Sequence, residues 1–522
     1  MRLRSFLLSS LALVILASGC LDDQIVEELP TLKSVTVEET AVKLTSGGVA
    51  ELHFIVRDAL FRFGGSSDVV LTPTSSQREL GFSLVSVLRS EKEGYYVATL
   101  KDNGGSGEYT VEMRLGIRVS PGSSALVLSE PFVVSNAVKV PGALDTGLPV
   151  VYIDTKDAVG IHSKTVWTQS VMRMNGSEYT CSVRGRGNTT WEWPKKPYAV
   201  KLDKKASFFG MPAHKRWVLL ANFMDRTLMR NLVAMKVASL TALDWSPSCQ
   251  SVELVLDGKH MGTYLFIEQV RVDDDRVAID EKDGFMLELD FHYDNDNQWI
   301  EPLGRCWQRS DGIPFSIKYP ESDEITPARV QQIKDYVSEV SRAIYGDYLA
   351  NPDLGYQKYL DVDSFIDYWI VFEVMGNHEL SNPGSVYMHR DKGGKLVAGP
   401  VWDFDWGVLS YRTSPQARTG LINSGAIWYA KLFPDPTFHS KLKARFQELL
   451  PTLREIPAYM EEMEEKLTVS AGLNFAMWNP AGDATMNNGS IINGDENMSF
   501  HNACVLLRNN YEERLQVIEK SL

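Results

Sequence analysis

The strongest constraint on the fold is a change of pattern part-way along the chain. Residues 30–140 consist of short runs in which apolar and polar residues alternate, such as "AELHFIVRDALF", separated by turns rich in Gly and Ser. Alternation with a period of two is typical of β-strands that bury one face. After residue 148, strand patterns give way to long helical ones, such as "PARVQQIKDYVSEVSRAIYG". This order predicts an α+β chain.

The change of pattern also predicts two domains. Regular short strands with turns between them indicate an immunoglobulin-like β-sandwich over residues 31–140. Nothing in that stretch indicates chemistry, so we expect it to be a spacer. The segment "VKVPGALDTGLP", which contains Pro and Gly, leads into a second domain over residues 148–522. We expect that domain to have two lobes, one mainly of strands and one mainly of helices.

Residues 1–20 have the pattern of an export signal. Two arginines precede an apolar run that is too short for a comfortable membrane-spanning helix. The run ends in "LASGC", which resembles a bacterial lipobox, and this resemblance implies that Cys20 becomes a lipidated N-terminus. An ordinary signal peptide with an incidental Cys is the alternative. The acidic residues 21–30 would form a solvated tether.

No second apolar run reaches membrane-spanning length, so the sequence predicts attachment to a membrane only through the lipid on Cys20. We expect an exported lipoprotein of the outer membrane, on its periplasmic or cell-surface face. The formal net charge of −14 argues against a nucleic-acid partner, because such proteins normally present a basic face. The four later cysteines are too widely spaced for a CxxC metal site, and their pairing stays open.

Two carboxylates stand among aromatic residues in "GPVWDFDWG", residues 399–407. Asp403 and Asp405 are costly there unless a cation or hydrogen-bond donors meet them. The polar loop "GNHELSNPG" leads into a predicted hairpin, and the two aspartates follow that hairpin. The loop and the aspartates therefore lie at the same end of the hairpin, where Asp403 and Asp405 should meet Glu379 and Asn382 in space. Such oxygen ligands suit a hard cation, Mg²⁺ or Mn²⁺. In the alternative, one Asp caps a turn and the other faces water.

A second candidate stretch is "RGRGNTTWEWPKKPYAVKL", residues 184–202. Its glycines suit a tight loop, and exposed backbone N–H groups with nearby Arg and Lys side chains favour anions such as phosphates. A purely structural turn between strands is the alternative, because the stretch lacks the GK[ST] of a Walker sequence.

The order of helix, polar loop, short hairpin and Asp before Gly is also that of protein kinases, in which a DFG aspartate holds Mg²⁺. The triplet "DWG", residues 405–407, stands where DFG would stand. Over about residues 148–440 the chain resembles the CotH kinase family, whose fold resembles an atypical protein kinase. The resemblance rests on several stretches in order, among them "GMPAHKRWVLLANFMDRTLMRN", "GTYLFIEQV", "GFMLELD" and "GPVWDFDWG".

This resemblance implies ATP-dependent phosphorylation of protein serines, with Mg or Mn, in a secreted or surface setting. Asp403 and Asp405 match the paired aspartates of the family's W-D-x-D motif, and Asn382 matches the second Asn of its loop. Glu379 stands where that loop has Asp. It can still accept a hydroxyl proton, although its extra methylene moves the carboxylate by roughly a bond length.

The resemblance also implies three contacts for the nucleotide. Arg186 and Lys201 are candidate phosphate ligands, and Glu268 would lie near the nucleotide or pair with a cation. A kinase acting on an unidentified protein is therefore one predicted function. The other is a non-catalytic surface lipoprotein whose kinase-like module binds a protein or a glycan.

Overall fold

The computed structural model describes the backbone of eight strands between residues 35 and 136. It further describes residues 146–291, 297–307, 309–412, 414–478 and 493–522. The predicted signal peptide, Cys20, the acidic tether and most of the linker lie outside the described residues. Strands and helices both occur in quantity, which confirms the α+β class.

The strands predicted in the N-terminal part of the chain form two antiparallel sheets. One has the order β1-β2-β5-β4, and in the other β6 pairs with β3, β7 and β8. The eight strands are β1 Val35–Val37, β2 Val49–Val56, β3 Val69–Pro73, β4 Phe82–Arg89, β5 Tyr95–Asp102, β6 Tyr109–Arg118, β7 Leu126–Leu128 and β8 Phe132–Asn136. The immunoglobulin-like topology of this part stays a prediction.

The next seven strands close into a barrel with the order β10-β11-β12-β13-β15-β14-β9. They are β9 Val150–Thr155, β10 Thr168–Met174, β11 Ser177–Gly185, β12 Tyr198–Ala206, β13 His214–Leu220, β14 Cys249–Leu256 and β15 Lys259–Glu268. Their alternating side chains fill the interior, as Val183, Val200 and Trp217 do. The strand β14 pairs in parallel with β9 and thereby closes the barrel.

A second sheet has the order β17-β18-β16-β19-β20. Its strands are β16 Phe285–Leu289, β17 Gln298–Glu301, β18 Ile313–Tyr319, β19 Val386–Arg390 and β20 Leu396–Ala398. The predicted hairpin before the paired aspartates is β19 and β20. It adds onto β16, which lies about a hundred residues earlier, and this pairing sets Glu288 directly opposite Tyr387.

Helices complete the C-terminal part: α1 Thr189–Glu192, α2 Arg230–Ala238, α3 Pro327–Tyr345, α4 Tyr356–Tyr359, α5 Val362–Val374, α6 Tyr429–Leu432, α7 Pro436–Leu453, α8 Ile456–Met477 and α9 Phe500–Ser521. Helix α5 is buried on every face from Ser364 onward, as a helix inside a large core must be. Asp361 caps its N-terminus by accepting the Ser364 N–H at 2.9 Å. Gly376, with φ of +59°, follows its C-terminus and leads into the polar loop.

Two large hydrophobic cores lie in the described part of the chain. One fills the barrel, and the larger one joins the helices to the second sheet and to the outer face of β13 and β15, through Val218 and Ile267. The four described cysteines are free thiols. No helix in the described part of the chain is long and apolar enough to cross a membrane.

Candidate active site

A cavity of about 630 Å³ lies where the turn after β11 faces the polar loop and the aspartate segment. It brings together five of the residues predicted from the sequence: Arg186, Glu379, Asn382, Asp403 and Asp405. These come from three stretches that span more than two hundred residues of sequence. The predicted meeting of the loop and the aspartate pair is therefore present in the structure.

The backbone around Phe404 presents both aspartates to the cavity. Phe404 is fully buried against Phe372, with ring centroids 4.8 Å apart, and its N–H donates to Asn231 Oδ1 at 2.7 Å. The flanking Asp403 and Asp405 both line the cavity, and Asp403 has a φ of +66°. The buried Phe404 ring thus anchors the segment in the core, while the carboxylates on either side of it line the cavity. Aromatic and acidic residues alternate here because the two kinds of side chain have these two different roles.

The two aspartates perturb each other strongly. Burial raises the pKa of Asp405 well above its usual range, and the charge of Asp403 raises it further. Burial also raises the pKa of Asp403, while Arg186 acts in the opposite direction. Two neighbouring buried carboxyl groups cannot both ionise cheaply, because the charge of each disfavours the charge of the other. The pair is a site at which positive charge is favoured.

Glu379 belongs to the same acidic group. Burial raises its pKa well above the usual value, and the charges of Asp403 and Asp405 raise it further. Its backbone N–H donates to Asn377 Oδ1 at 2.8 Å, which holds the loop. Nearby, Asn382 Oδ1 is buried with no hydrogen-bond partner among the described residues. A buried amide oxygen without a donor can accept a cationic ligand or a hydrogen-bond donor.

Several cavity residues were missed by the sequence reasoning. Glu288 and Asp290 lie in and after β16, where the only signal was a pair of acids in an otherwise apolar strand. Lys318 Nζ lies 2.8 Å from Glu288 Oε2, and the Tyr387 hydroxyl donates to Glu288 Oε1 at 2.9 Å. Arg186 stacks over the Trp402 ring at 5.2 Å. Cations and acids are thus interleaved along one wall.

An aromatic wall borders the aspartates, and the sequence did not show that its rings would come together. The rings of Trp193 and Trp406 stack with centroids 6.1 Å apart at an interplanar angle of 8°. Phe223 packs against Trp193 at 5.9 Å, and all three rings line the cavity. Such a wall gives a flat apolar surface next to the charged groups.

A third missed group holds the aspartate segment from below. Asn493 Oδ1 accepts the Gly407 N–H at 2.9 Å, and its Nδ2 donates to the carbonyls of Asp405, at 3.2 Å, and Met224, at 3.1 Å. The next acid, Asp495, pairs with the buried Arg230 at 2.6 Å. These contacts fix the Asp405 backbone. Local sequence patterns do not show which partners these residues take, because the contacts join residues 86 to 269 positions apart.

Lys195 holds the opposite wall. Its ammonium donates to the Ala221 carbonyl at 2.8 Å, to Asn474 Oδ1 at 2.7 Å and to the Thr263 carbonyl. Burial lowers the pKa of Lys195 to about 7. Because Ala221 and Pro197 line the cavity, this cation ties the cavity wall to helix α8.

Two predicted nucleotide ligands lie away from the cavity. Lys201 is exposed on the outer face of β12, since its neighbours Val200 and Leu202 point into the barrel. Glu268 is buried, where it accepts the Ser248 N–H at 2.9 Å and lies 3.8 Å from Arg276 Nε. The sequence predicted the strands that carry Lys201 and Glu268, but it did not show on which side of each strand the side chain lies.

The residues present fit a divalent cation that keeps open positions. Within the described residues, no group of three or more His, Cys, Asp or Glu side chains is arranged to hold a metal ion. Mg²⁺, however, is usually held by one or two carboxylates together with phosphate oxygens and water. Asp403 and Asp405, with the unpaired oxygen of Asn382, make such a set.

The comparison with known families decides the relationship. The pattern of the family described as CotH kinase protein matches residues 183–518, well over half of the chain. The chain belongs to the CotH kinase family. The match begins in β11 and runs into α9, so the whole CotH cavity, including the aspartate pair and Asn493, lies inside it. The resemblance expected from the sequence is confirmed.

The other comparisons add little. No curated protein matches the sequence significantly. Among solved structures, the Escherichia coli adhesin FdeC matches at 15% identity and a TM-score of 0.15, over 36% of this chain and 58% of the adhesin chain. A score that low supports no statement about the fold. The kinase-like architecture of the CotH region stays a prediction.

Proposed function

We propose that this CotH family member is an atypical kinase that transfers the γ-phosphoryl group of ATP to a serine of a protein. One observation carries the proposal. The cavity is lined by two mutually repelling aspartates, an asparagine with an unpaired amide oxygen, a half-buried arginine and a carboxyl group that can act as a base. Phosphoryl transfer needs this combination, because its catalysis is largely positioning and charge stabilisation.

The proposed ligands of Mg²⁺ or Mn²⁺ are Asp403, Asp405 and Asn382. When bound, the ion supplies positive charge against the phosphate oxygens. Arg186 lies on the same wall, where burial lowers its pKa and the charge of Asp403 opposes that shift. Its guanidinium would donate to the transferred phosphate in the forked geometry that suits phosphate oxygens.

Glu379 is the proposed base. Burial raises the pKa of Glu379, and the neighbouring aspartates raise it further. A divalent ion held by Asp403 and Asp405 would oppose the effect of the aspartates, and the Glu379 carboxylate would then take the proton of the serine hydroxyl. The stacked rings of Trp193 and Trp406 would hold the base of the nucleotide. Export and anchoring through Cys20 belong to the same proposal and rest on the sequence.

Thermal unfolding with and without Mn²⁺–ATP tests the proposal, followed by incubation with labelled ATP. Wild-type protein should be stabilised, because a ligand that binds only the folded state raises its stability. It should also transfer label to itself or to added protein. Absence of any stabilisation at millimolar Mn²⁺–ATP would remove the kinase function and leave a binding module.

A further inference from the structure

The outer wall of the barrel carries a cluster of cations that the cavity does not use. This barrel-wall patch consists of Trp167, Arg184, Lys201, Arg216 and Arg271. The Trp167 ring contacts two guanidinium groups, with the Arg184 Cζ 4.6 Å and the Arg216 Cζ 5.2 Å from its centroid. Such a concentration of positive charge stands out in a chain with a net charge of −14.

The patch holds like charges close together. Lys201 on β12 lies directly opposite Arg216 on β13. Like charges at directly opposite positions of a sheet destabilise the pairing. Burial lowers the pKa of Arg216, and the charges of Arg271 and Arg184 lower it further. The Trp167 ring offsets part of this repulsion through its contacts with the Arg184 and Arg216 guanidinium groups.

Three of the four cations of the patch lack an ion-pair partner within the described part of the chain. Arg271 pairs with Glu321 at 2.7 Å. Arg184, Lys201 and Arg216 make no ion pair with a described residue. The Nε of Arg184 is also buried with no hydrogen-bond partner among the described residues. A guanidinium held in place by an aromatic ring and left without an acceptor is prepared for an anion.

The width of the patch matches a short extended peptide. The three cations without ion-pair partners lie on β11, β12 and β13, across two interstrand spacings or about 10 Å. An extended peptide covers this distance in about three residues. Arg184 lies two residues before Arg186, which lines the cavity, so the patch begins roughly 7 Å from the cavity wall. A segment bound on the patch can therefore continue into the cavity.

We propose that the barrel-wall patch binds an acidic stretch of the acceptor protein, with carboxylates two or three residues apart. Arginine forks bind carboxylates through paired hydrogen bonds, and Trp167 supplies apolar contact between them. The patch thereby selects acceptors by a segment outside the cavity. The link to an acceptor rests on the proposed kinase function, whereas binding of acidic peptide does not.

Fluorescence anisotropy of labelled octaglutamate on the full chain tests the site. The variant R184Q/R216Q should bind the peptide about tenfold more weakly than wild type. The control K204Q/K215Q removes the same charge from two exposed lysines outside the patch, and it should bind like wild type. Affinity should also fall as salt rises from about 50 to 300 mM, because salt screens exposed charges.

Equal weakening in both double variants would overturn the proposal, because only net charge would matter. Failure of wild type to bind octaglutamate would also overturn it, including the case in which a heparin fragment binds instead. Mn²⁺–ATP stabilisation should be the same in all three proteins, since none of the four positions lines the cavity. Peptide binding without any Mn²⁺–ATP binding would keep the acidic-peptide site and remove its role in recognising a kinase acceptor.

Discussion

Replacing Asn493 with Ala should both destabilise the fold and weaken metal–nucleotide binding. The side chain makes three hydrogen bonds to buried backbone groups: it accepts the Gly407 N–H and donates to the carbonyls of Asp405 and Met224. Each such bond contributes roughly 1 kcal/mol net, so their loss should lower the free energy of unfolding by about 3 kcal/mol. The exposed Asn502 is a matched control, and N502A should change stability by less than about 0.5 kcal/mol.

Urea unfolding of the full chain, followed by circular dichroism at 222 nm, measures the stability of these variants. Titration of the folded variant with Mn²⁺–ATP then measures the functional effect. Freed from Asn493, the Asp405 backbone can shift, and a displaced carboxylate should bind Mn²⁺–ATP about tenfold more weakly. A loss of stability below about 1 kcal/mol for N493A would refute the reasoning. So would unchanged Mn²⁺–ATP affinity, because Asn493 would then not position the aspartates.

Four further outcomes are expected. Asp403→Asn or Asp405→Asn should abolish stabilisation by Mn²⁺–ATP without lowering the melting temperature of the ligand-free protein, because one of two repelling carboxylates is removed. A lower melting temperature with ligand binding retained would indicate that the pair is purely structural. Glu379→Gln should keep nucleotide affinity but lose phosphoryl transfer, and transfer at the wild-type rate would exclude Glu379 as the base. Between pH 7 and about 10, Lys195 is protonated in the unfolded chain but has lost its proton in the folded protein. The free energy of unfolding, measured with urea, should therefore rise with pH in this range, and it should rise less steeply in K195M. Parallel curves for the two proteins would show that the folded Lys195 keeps its proton. Cys20→Ser should move the expressed protein from the membrane fraction to the soluble fraction, and retention in the membrane would contradict lipid anchoring.

Local patterns in the sequence were sufficient for much of the fold and half of the site. Helix α5 is readable because its apolar residues recur at helical spacing, and its end is marked by Gly376. The hairpin β19–β20 can be predicted from its turn. The acids among aromatic residues in 402–406 indicate a charged site within a hydrophobic core. Family motifs added the match of Asp403 and Asp405 to a metal-binding pair.

Tertiary structure alone decided the rest. Closure of the barrel depends on a parallel pairing between β14 and β9, about a hundred residues apart, and no local pattern encodes it. The same holds for Glu288, which β16 brings to the cavity by pairing with β19, and for Asn493 beneath Asp405. The strand that carries Lys201 was predicted from the sequence, but the side of the strand on which Lys201 lies was not. That side is decided by the barrel, which buries the neighbouring residues and leaves Lys201 on the outer face with the cationic patch.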